Sequence, residues 1–437
     1  MPISHRSSKV LLRVLLSLSA IFALSIPLLL TACGGSASST PGAAQGKWTW
    51  MSGSNATGAN GMDQPGVYGT MGVAAAGNDP GGRAGSVSWT DNSGNFWLFG
   101  GCGDDSTGTF GDLNDLWAFN PTTKEWMWMG GSSTVGSNGG QPGVYGTEGT
   151  AAASNVPGGR NSSVSWIDSS DNLWLFGGYG DDSTGAIGNL NDLWAFNPTT
   201  KEWTWMGGSN TTTANGNGQP GAYGTLGVAA AGNDPGGRNS SVSWIDSSGH
   251  LWLFGGFGAD STGMAGHLND LWEFNPTTKE WTWMSGSSTV PSANGGPPSG
   301  QSGVYGTEGT AAASNVPGGR LGSVSWIDSG NFWLFGGEGY GSTGTPGYLN
   351  DLWEFNPTSK MWTWMSGSNA ASTNANPNPG VYGTEGTAAA SNVPGGRAAS
   401  VSWADSSGNL WLFGGMDGTG SIVTQGDNLN DLWRYQP

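Results

Sequence analysis

The chain has 437 residues, of which only 10% are charged, and it carries 80 glycines, 25 tryptophans, two cysteines and a net charge of −17. So acidic a balance excludes nucleic acid as an expected partner, because affinity for phosphates is supplied by Lys and Arg. Two cysteines give no disulfide framework, and with so little charge solubility rests on Ser, Thr, Asn and Asp in loops.

The first 32 residues hold His5, Arg6, Lys9 and Arg13, followed by an apolar stretch that ends Leu30, Thr31, Ala32, Cys33. A basic start, an apolar middle and small residues before a cut describe a secretory signal. Leu-Thr-Ala-Cys resembles the bacterial lipobox, and the resemblance implies acylation of Cys33, attachment to a membrane through lipid and a place in the bacterial cell envelope outside the cytoplasm. Gly34 after the cysteine resembles lipoproteins that diderm bacteria send on to the outer membrane. An uncleaved membrane anchor is the alternative. Residues 34–46 (GGSASSTPGAAQG) are small and flexible and read as a tether. Three of the 14 basic residues and none of the 31 acidic ones lie in residues 1–32, so the remainder carries a net −20. Once Cys33 is modified, Cys102 has no partner.

From residue 47 to 437 one block recurs. Between Arg83 and Met129 it reads GR, SVSW, FWLFGG, LNDLWAFNP and EWMWM, with turn residues between the segments. Alternating or continuous apolar runs punctuated by Gly, Asn and Pro predict four strands per block. The block returns at Arg160, Arg238, Arg320 and Arg397, and each copy brings five tryptophans. The last copy stops at LNDLWRYQP with three, and the missing pair is present as Trp48 and Trp50 in KWTWM, residues 47–51. This arithmetic predicts an all-β, five-bladed β-propeller of four-stranded antiparallel blades, near 83–129, 160–206, 238–284, 320–365 and 397–437, closed by an N-terminal strand that completes the last blade. FWLF and LWAF are apolar on both sides, as expected of strands covered by neighbouring blades. A repeat that cannot bury its faces alone should not fold alone.

The paired glycines after an apolar strand, as at Gly100 and Gly101, followed by NDLW, an NP turn and a tryptophan, resemble the kelch repeat of galactose oxidase central-domain-like propellers. The resemblance covers about 390 residues. It implies a propeller, and it is weaker for function, because such propellers serve as enzymes, sugar mutarotases and binding scaffolds. Five blades are fewer than usual for that family, and each repeat is about thirty residues longer.

The extra length lies in two loops per repeat, one between the second and third strands and one between blades, which an up-and-down blade places on the same end. The other end has tight turns. Repeat proteins bind through the end that collects insertions. Each interblade loop carries one tyrosine in GVYGT or GAYGT, namely Tyr68, Tyr145, Tyr223, Tyr305 and Tyr382, and ends in GGR with Arg83, Arg160, Arg238, Arg320 and Arg397. These ten are the candidate binding residues, since tyrosine rings stack on sugars or anchor proteins and a ring of guanidinium groups holds anions. The alternative is internal: each tyrosine packs beneath its loop, and each arginine bolts to the aspartate of LND (Asp115, Asp192, Asp270, Asp351, Asp431).

Catalytic chemistry is thin. After the signal only His250 and His267 remain, at positions held in the other copies by Asn95, Asn172, Asn331 and Asn409, and by Asp112, Asn189, Tyr348 and Asn428. This reads as drift at turns, with no catalytic residue and no metal site. The acidic loops (Asp104, Asp105, Asp181, Asp182, Asp260) lack EF-hand spacing, so no cofactor is expected, and calcium held by several loops has no support. Cys102 shares its column with Tyr179, Phe257, Glu338 and Met416 and reads as a tolerated substitution. The expected function is a lipid-anchored, extracytoplasmic scaffold that binds a protein or glycan through its long-loop end. The alternative is a carbohydrate-processing enzyme, mutarotase or oxidase-like, with its site at the central channel.

Overall fold

The computed structural model describes residues 50–55, 64–291, 299–373, 378–417 and 428–437. The signal stretch, the tether with Cys33, and residues 47–49 lie outside the described residues. The chain divides into two compact units, Met1–Gln64 and Pro65–Pro437. In the first, Trp50 is exposed and its indole N–H donates to the Ser52 carbonyl at 2.6 Å.

The second unit is all-β, five sheets in succession, antiparallel apart from Ser299–Gly300, which adds in parallel to Ala265–Asn275 of blade three, with no helix among the described residues. In blade one, Arg83–Ala84 and Val87–Thr90 are two pieces of one interrupted inner strand, both paired to Phe96–Asp104, which pairs with Phe110–Asn120, which pairs with Glu125–Gly130 at the outer edge. Blades two, three and four repeat this order. Blade five shows the interrupted inner strand (Arg397–Ala398 and Val401–Ala404), Leu410–Asp417 and Asn428–Tyr435. Its expected fourth strand falls on residues described only at Trp50 and Met51.

The paired glycines make the blades fit. Gly100 and Gly101 both have positive φ, at 62° and 94°, and the register slips by one residue between Phe99 and Gly101. This is a β-bulge in which Asn114 and Asp115 of the third strand oppose the single Gly100. A Cβ on Gly100 would lie 2.8 Å from the Arg160 carbonyl oxygen of the next blade, and one on Gly177 would lie as close to that of Arg238. No other residue satisfies both the dihedral and the approach.

Packing between blades is aromatic and directional. Val87, Trp89, Trp97 and Phe99 of blade one bury against Leu173, Leu175, Trp194 and Phe196 of blade two, and the same sets recur at the next three junctions. Burying each indole contributes about 4 to 5 kcal/mol gross. Hydrogen bonds then set the angle: Trp89 Nε1 donates to the Trp166 carbonyl at 2.8 Å, and Trp166, Trp244 and Trp326 donate to Trp252, Trp326 and Trp411 in turn. Along the axis Ser162 N donates to Gly85 O, Ser240 N to Ser162 O, Gly322 N to Ser240 O and Ala399 N to Gly322 O, at 2.8 to 3.0 Å. These five residues all have positive φ. The equivalent leading face of blade five is uncovered: Val401, Phe413 and Leu432 are exposed, and Trp403 is 46% exposed where Trp89, Trp166, Trp244 and Trp326 are at most 6%. Phe96, on the opposite face of blade one, is exposed as well.

Candidate binding rim

The residues singled out in the interblade loops come together, but inside the molecule. The Arg160 guanidinium forks onto Asp192, Nη1 to Oδ1 at 2.6 Å and Nη2 to Oδ2 at 2.7 Å. Tyr145 Oη and Trp194 Nε1 both donate to Asp192 Oδ2 at 2.7 Å. Arg160 Nε and Nη1 also donate to the Gly158 and Gly177 carbonyls. The tyrosine ring lies against Trp194 and edge-on to Trp205. Arg83, Asp115, Tyr68 and Trp117 form the same cluster, as do Arg238, Asp270, Tyr223 and Trp272, and Arg320, Asp351, Tyr305 and Trp353. Arg397, Asp431, Tyr382 and Trp433 complete the set.

Of the two readings open for these ten residues, the geometry gives the internal bolt. Tyr68, Tyr145, Tyr223 and Tyr305 are buried, as are Arg160, Arg238, Arg320 and Arg397, so a ligand would have to break a saturated hydrogen-bond cluster to reach them. Tyr382 alone is open, at 53% exposure. The reason is local: Asp and Trp two apart in NDLW share one side of the third strand, so the indole reaches the carboxylate that the preceding loop's tyrosine and the blade's own arginine also need. Burial alone would raise the Asp270 carboxyl, but the Arg238 guanidinium and the Tyr223 and Trp272 hydrogen bonds outweigh it and hold the group below the ordinary range.

The loops are welded to the blades. In loop one, Gly72 N donates to the Trp128 carbonyl and Asn78 Nδ2 to those of Val73 and Trp126, so the loop extends the outer edge of the blade that follows it. The strand-two to strand-three loops cross to the same end: Val135 N donates to Asp105 Oδ2, Thr212 N to Asp182 Oδ2 and Val290 N to Asp260 Oδ2. The other oxygen of each of these aspartates caps its own turn. Their oxygens are occupied by protein donors, an arrangement that belongs to turns.

A second constellation lies at this long-loop end. Just past the bulge, the column Cys102, Tyr179, Phe257, Glu338 and Met416 pairs across strands with Asp112, Asn189, His267, Tyr348 and Asn428 on one side. On the other side it pairs with Ala84, Asn161, Asn239, Leu321 and Ala398. These three columns differ from blade to blade while the flanking WLFGG and LNDLW segments barely change. Rows in adjacent blades join: Asn161 Nδ2 donates to Asp112 Oδ1, and Asn239 Nδ2 to Asn189 Oδ1, both at 2.7 Å. The columns of Cys102 and His267 carried the signal in the sequence, where they read as substitution and drift; pairing makes them neighbours.

The rim is also where ionisation is least ordinary. Burial pushes the Asp112 carboxyl up to about 6, against the Asn161 hydrogen bond. Burial, with the negative charge of Asp112 beside it, pushes Asp181 up to about 7, although Arg160 opposes this. Asp181 is wholly buried, neither of its oxygens is hydrogen-bonded, and a Cβ on Gly140 would collide with it. Burial lowers His267 to about 4, where it packs edge-on against Phe257 and Tyr340. A shallow groove elsewhere, of about 520 Å³ and lined by Leu226, Met284, Gln301, Val304, Asn315 and Lys360, lacks this clustering of charge.

A carboxyl that is easier to protonate folded than unfolded contributes its full stability below the unfolded pKa near 4. That contribution is lost as pH rises through about 7. Asp181→Asn is therefore expected to match the parent near pH 4 and exceed it in stability above pH 7, as read by denaturant titration at the two pH values. Parallel pH profiles for the two proteins would contradict this account of Asp181.

Fold and site together define a β-propeller with five blades, a bolted interior and a variable rim. No protein-family model matches the chain, and no curated protein matches it in sequence. Among solved structures it is similar to one titled "Structure of YjhT", at 16% identity and a TM-score of 0.44, over 83% of each chain.

Proposed function

We propose that the chain is a lipid-anchored, extracytoplasmic, kelch-type propeller that serves as a binding scaffold, with its ligand held at the long-loop end by the rim columns. The observation that carries this reading is that three adjoining cross-strand columns at the long-loop end differ from blade to blade while the bolt residues around them recur. Side chains that hold the fold are the same in every copy, whereas these give each blade a different chemistry at the same height.

That chemistry suits a glycan. Tyr179, half-buried Phe257 and Tyr348 supply ring faces, while the partly buried Asn161, Asn239 and Glu338 supply amide and carboxylate partners for hydroxyls. A protein ligand is the other member of the class. The enzyme reading has one observation in its favour, the asymmetric pair of perturbed carboxyls at Asp112 and Asp181. Asp181 lies beneath the loop at Gly140, however, and a proton-transferring group must reach its substrate.

Screening the full chain against glycans and envelope proteins, followed by titration calorimetry on Tyr179→Ala and Asn239→Ala, tests the proposal. Each substitution is expected to weaken binding about tenfold, the equivalent of one lost stacking or hydrogen-bond contact. Unchanged affinity in both variants would remove the rim from the reading, and turnover of a bound sugar that Asp112→Asn abolishes would replace scaffold by enzyme.

A further inference from the structure

At the end with tight turns, four of the five blades have an aspartate that caps the turn between the first two strands: Asp91, Asp168, Asp246 and Asp405 each accept the backbone N–H groups two and four residues on. The residue four on is an asparagine in blades one, two and five, and in blades one and two Ala118 and Ala195 occupy the third-strand position opposite the first tryptophan of the second strand. Blade three alone has replaced both, with His250 and Glu273. The imidazole Nδ1 lies 2.5 Å from Glu273 Oε1 and 3.5 Å from Asp246 Oδ2. Among the described residues this is the only group of three or more His, Cys, Asp or Glu side chains whose ligand atoms all lie within 4.8 Å of one another.

We propose that Asp246, His250 and Glu273 form a site for a divalent transition ion of the zinc type. One imidazole nitrogen and two carboxylate oxygens are the donor set that such ions take at about 2.0 to 2.2 Å, with water completing a tetrahedron. Two ligands at that distance on a tetrahedral ion are separated by roughly 3.3 Å, which is the Asp246–His250 spacing to within a few tenths. The shorter His250–Glu273 contact opens by less than one ångström when an ion enters, a movement within reach of a half-exposed glutamate. Blade four shows what the contact is without imidazole: Asn331 Nδ2 donates to Glu354 Oε1 at the same 2.5 Å. Asparagine ends there in a hydrogen bond, whereas histidine can shift its proton to Nε2 and present Nδ1 as a ligand. Trp252 Nε1 donates to Asp246 Oδ2 at 3.1 Å, and this bond orients the carboxylate as outer-shell donors do in metal sites.

The test is calorimetric titration of Zn²⁺ into the full chain, with Co²⁺ absorption as a second readout of four-coordinate nitrogen and oxygen ligation. His250→Asn and Glu273→Ala install residues that other blades carry at these places, so both variants are expected to melt with the parent. The parent should bind one ion per chain; either substitution should weaken binding at least tenfold, and His267→Asn should leave it unchanged. Absence of saturable binding in the parent, binding that survives His250→Asn, or binding lost in His267→Asn would each overturn the proposal.

Discussion

Asp192→Ala is expected to destabilise the propeller by about 3 to 5 kcal/mol, the cost typical of leaving one partner of a buried ion pair uncompensated. The carboxylate receives four hydrogen bonds, two from Arg160 and one each from Tyr145 and Trp194. Its removal strands a buried guanidinium and two further buried donors at once. Chemical denaturation monitored by tryptophan fluorescence measures the loss. The same change at Asp431 should cost less, because its tyrosine, Tyr382, is exposed to solvent and water can replace the missing acceptor. Equal losses at the two positions would mean that burial is not what gives the bolt its value. Acid should act in the same direction: for Asp270 and Asp431, whose carboxyls are held low, the stabilisation is complete above the unfolded pKa near 4 and is lost as pH falls through their depressed folded values.

The second large effect is expected on deleting residues 47–51. In blades one to four the outer strand gives the loop three anchors: a ring against the tyrosine, as Trp128 gives Tyr68, and two carbonyls, as Trp128 and Trp126 give Gly72 N and Asn78. In blade five Tyr382 has its third-strand partner Trp433, and Asn392 has its Thr387 carbonyl, the contacts that correspond to Trp117 and Val73 in blade one. A strand with two tryptophans one residue apart would fill the remaining three places, and KWTWM has that pattern in sequence. Its Trp50 already makes the indole to i+2 carbonyl bond that Trp128, Trp205, Trp283 and Trp364 make in theirs. Two indoles that became buried on completing blade five would contribute roughly 8 to 10 kcal/mol gross, an upper bound from which strand ordering subtracts. The deletion variant should lose several kcal/mol and become sensitive to proteases at blade five, and a synthetic peptide spanning residues 44–54 should restore part of the loss. A variant that unfolds with the parent would remove terminal closure from the account of this fold.

Sequence alone determined the blades. Strand number and order follow from apolar runs set between Gly, Asn and Pro turns, local signals that each repeat states again, whereas the second and third strands run on into the glycine-rich stretch that reads as loop, to Asp104 and from Phe110 in blade one. GG reads in the sequence only as part of the repeat signature; that it sits at a β-bulge with positive φ at Gly100 and Gly101 comes from the structure. Even the bolt was half legible, because one arginine and one aspartate per repeat must meet if each blade is to be neutral inside.

Only the tertiary structure could decide between exposure and burial, which depends on what lies across a junction rather than along a strand. Tyr145 and Tyr382 sit in nearly identical loops, yet one is buried and the other open, since a ring from an outer strand covers the first. The rim columns are far apart in sequence, and cross-strand register brings Cys102 beside Asp112 and Phe257 beside His267. The triad of Asp246, His250 and Glu273 likewise joins a turn to a strand 23 residues further on. Local periodicity carries no information about such meetings. They are fixed by hydrogen-bond register and blade packing, which exist only once the chain has folded.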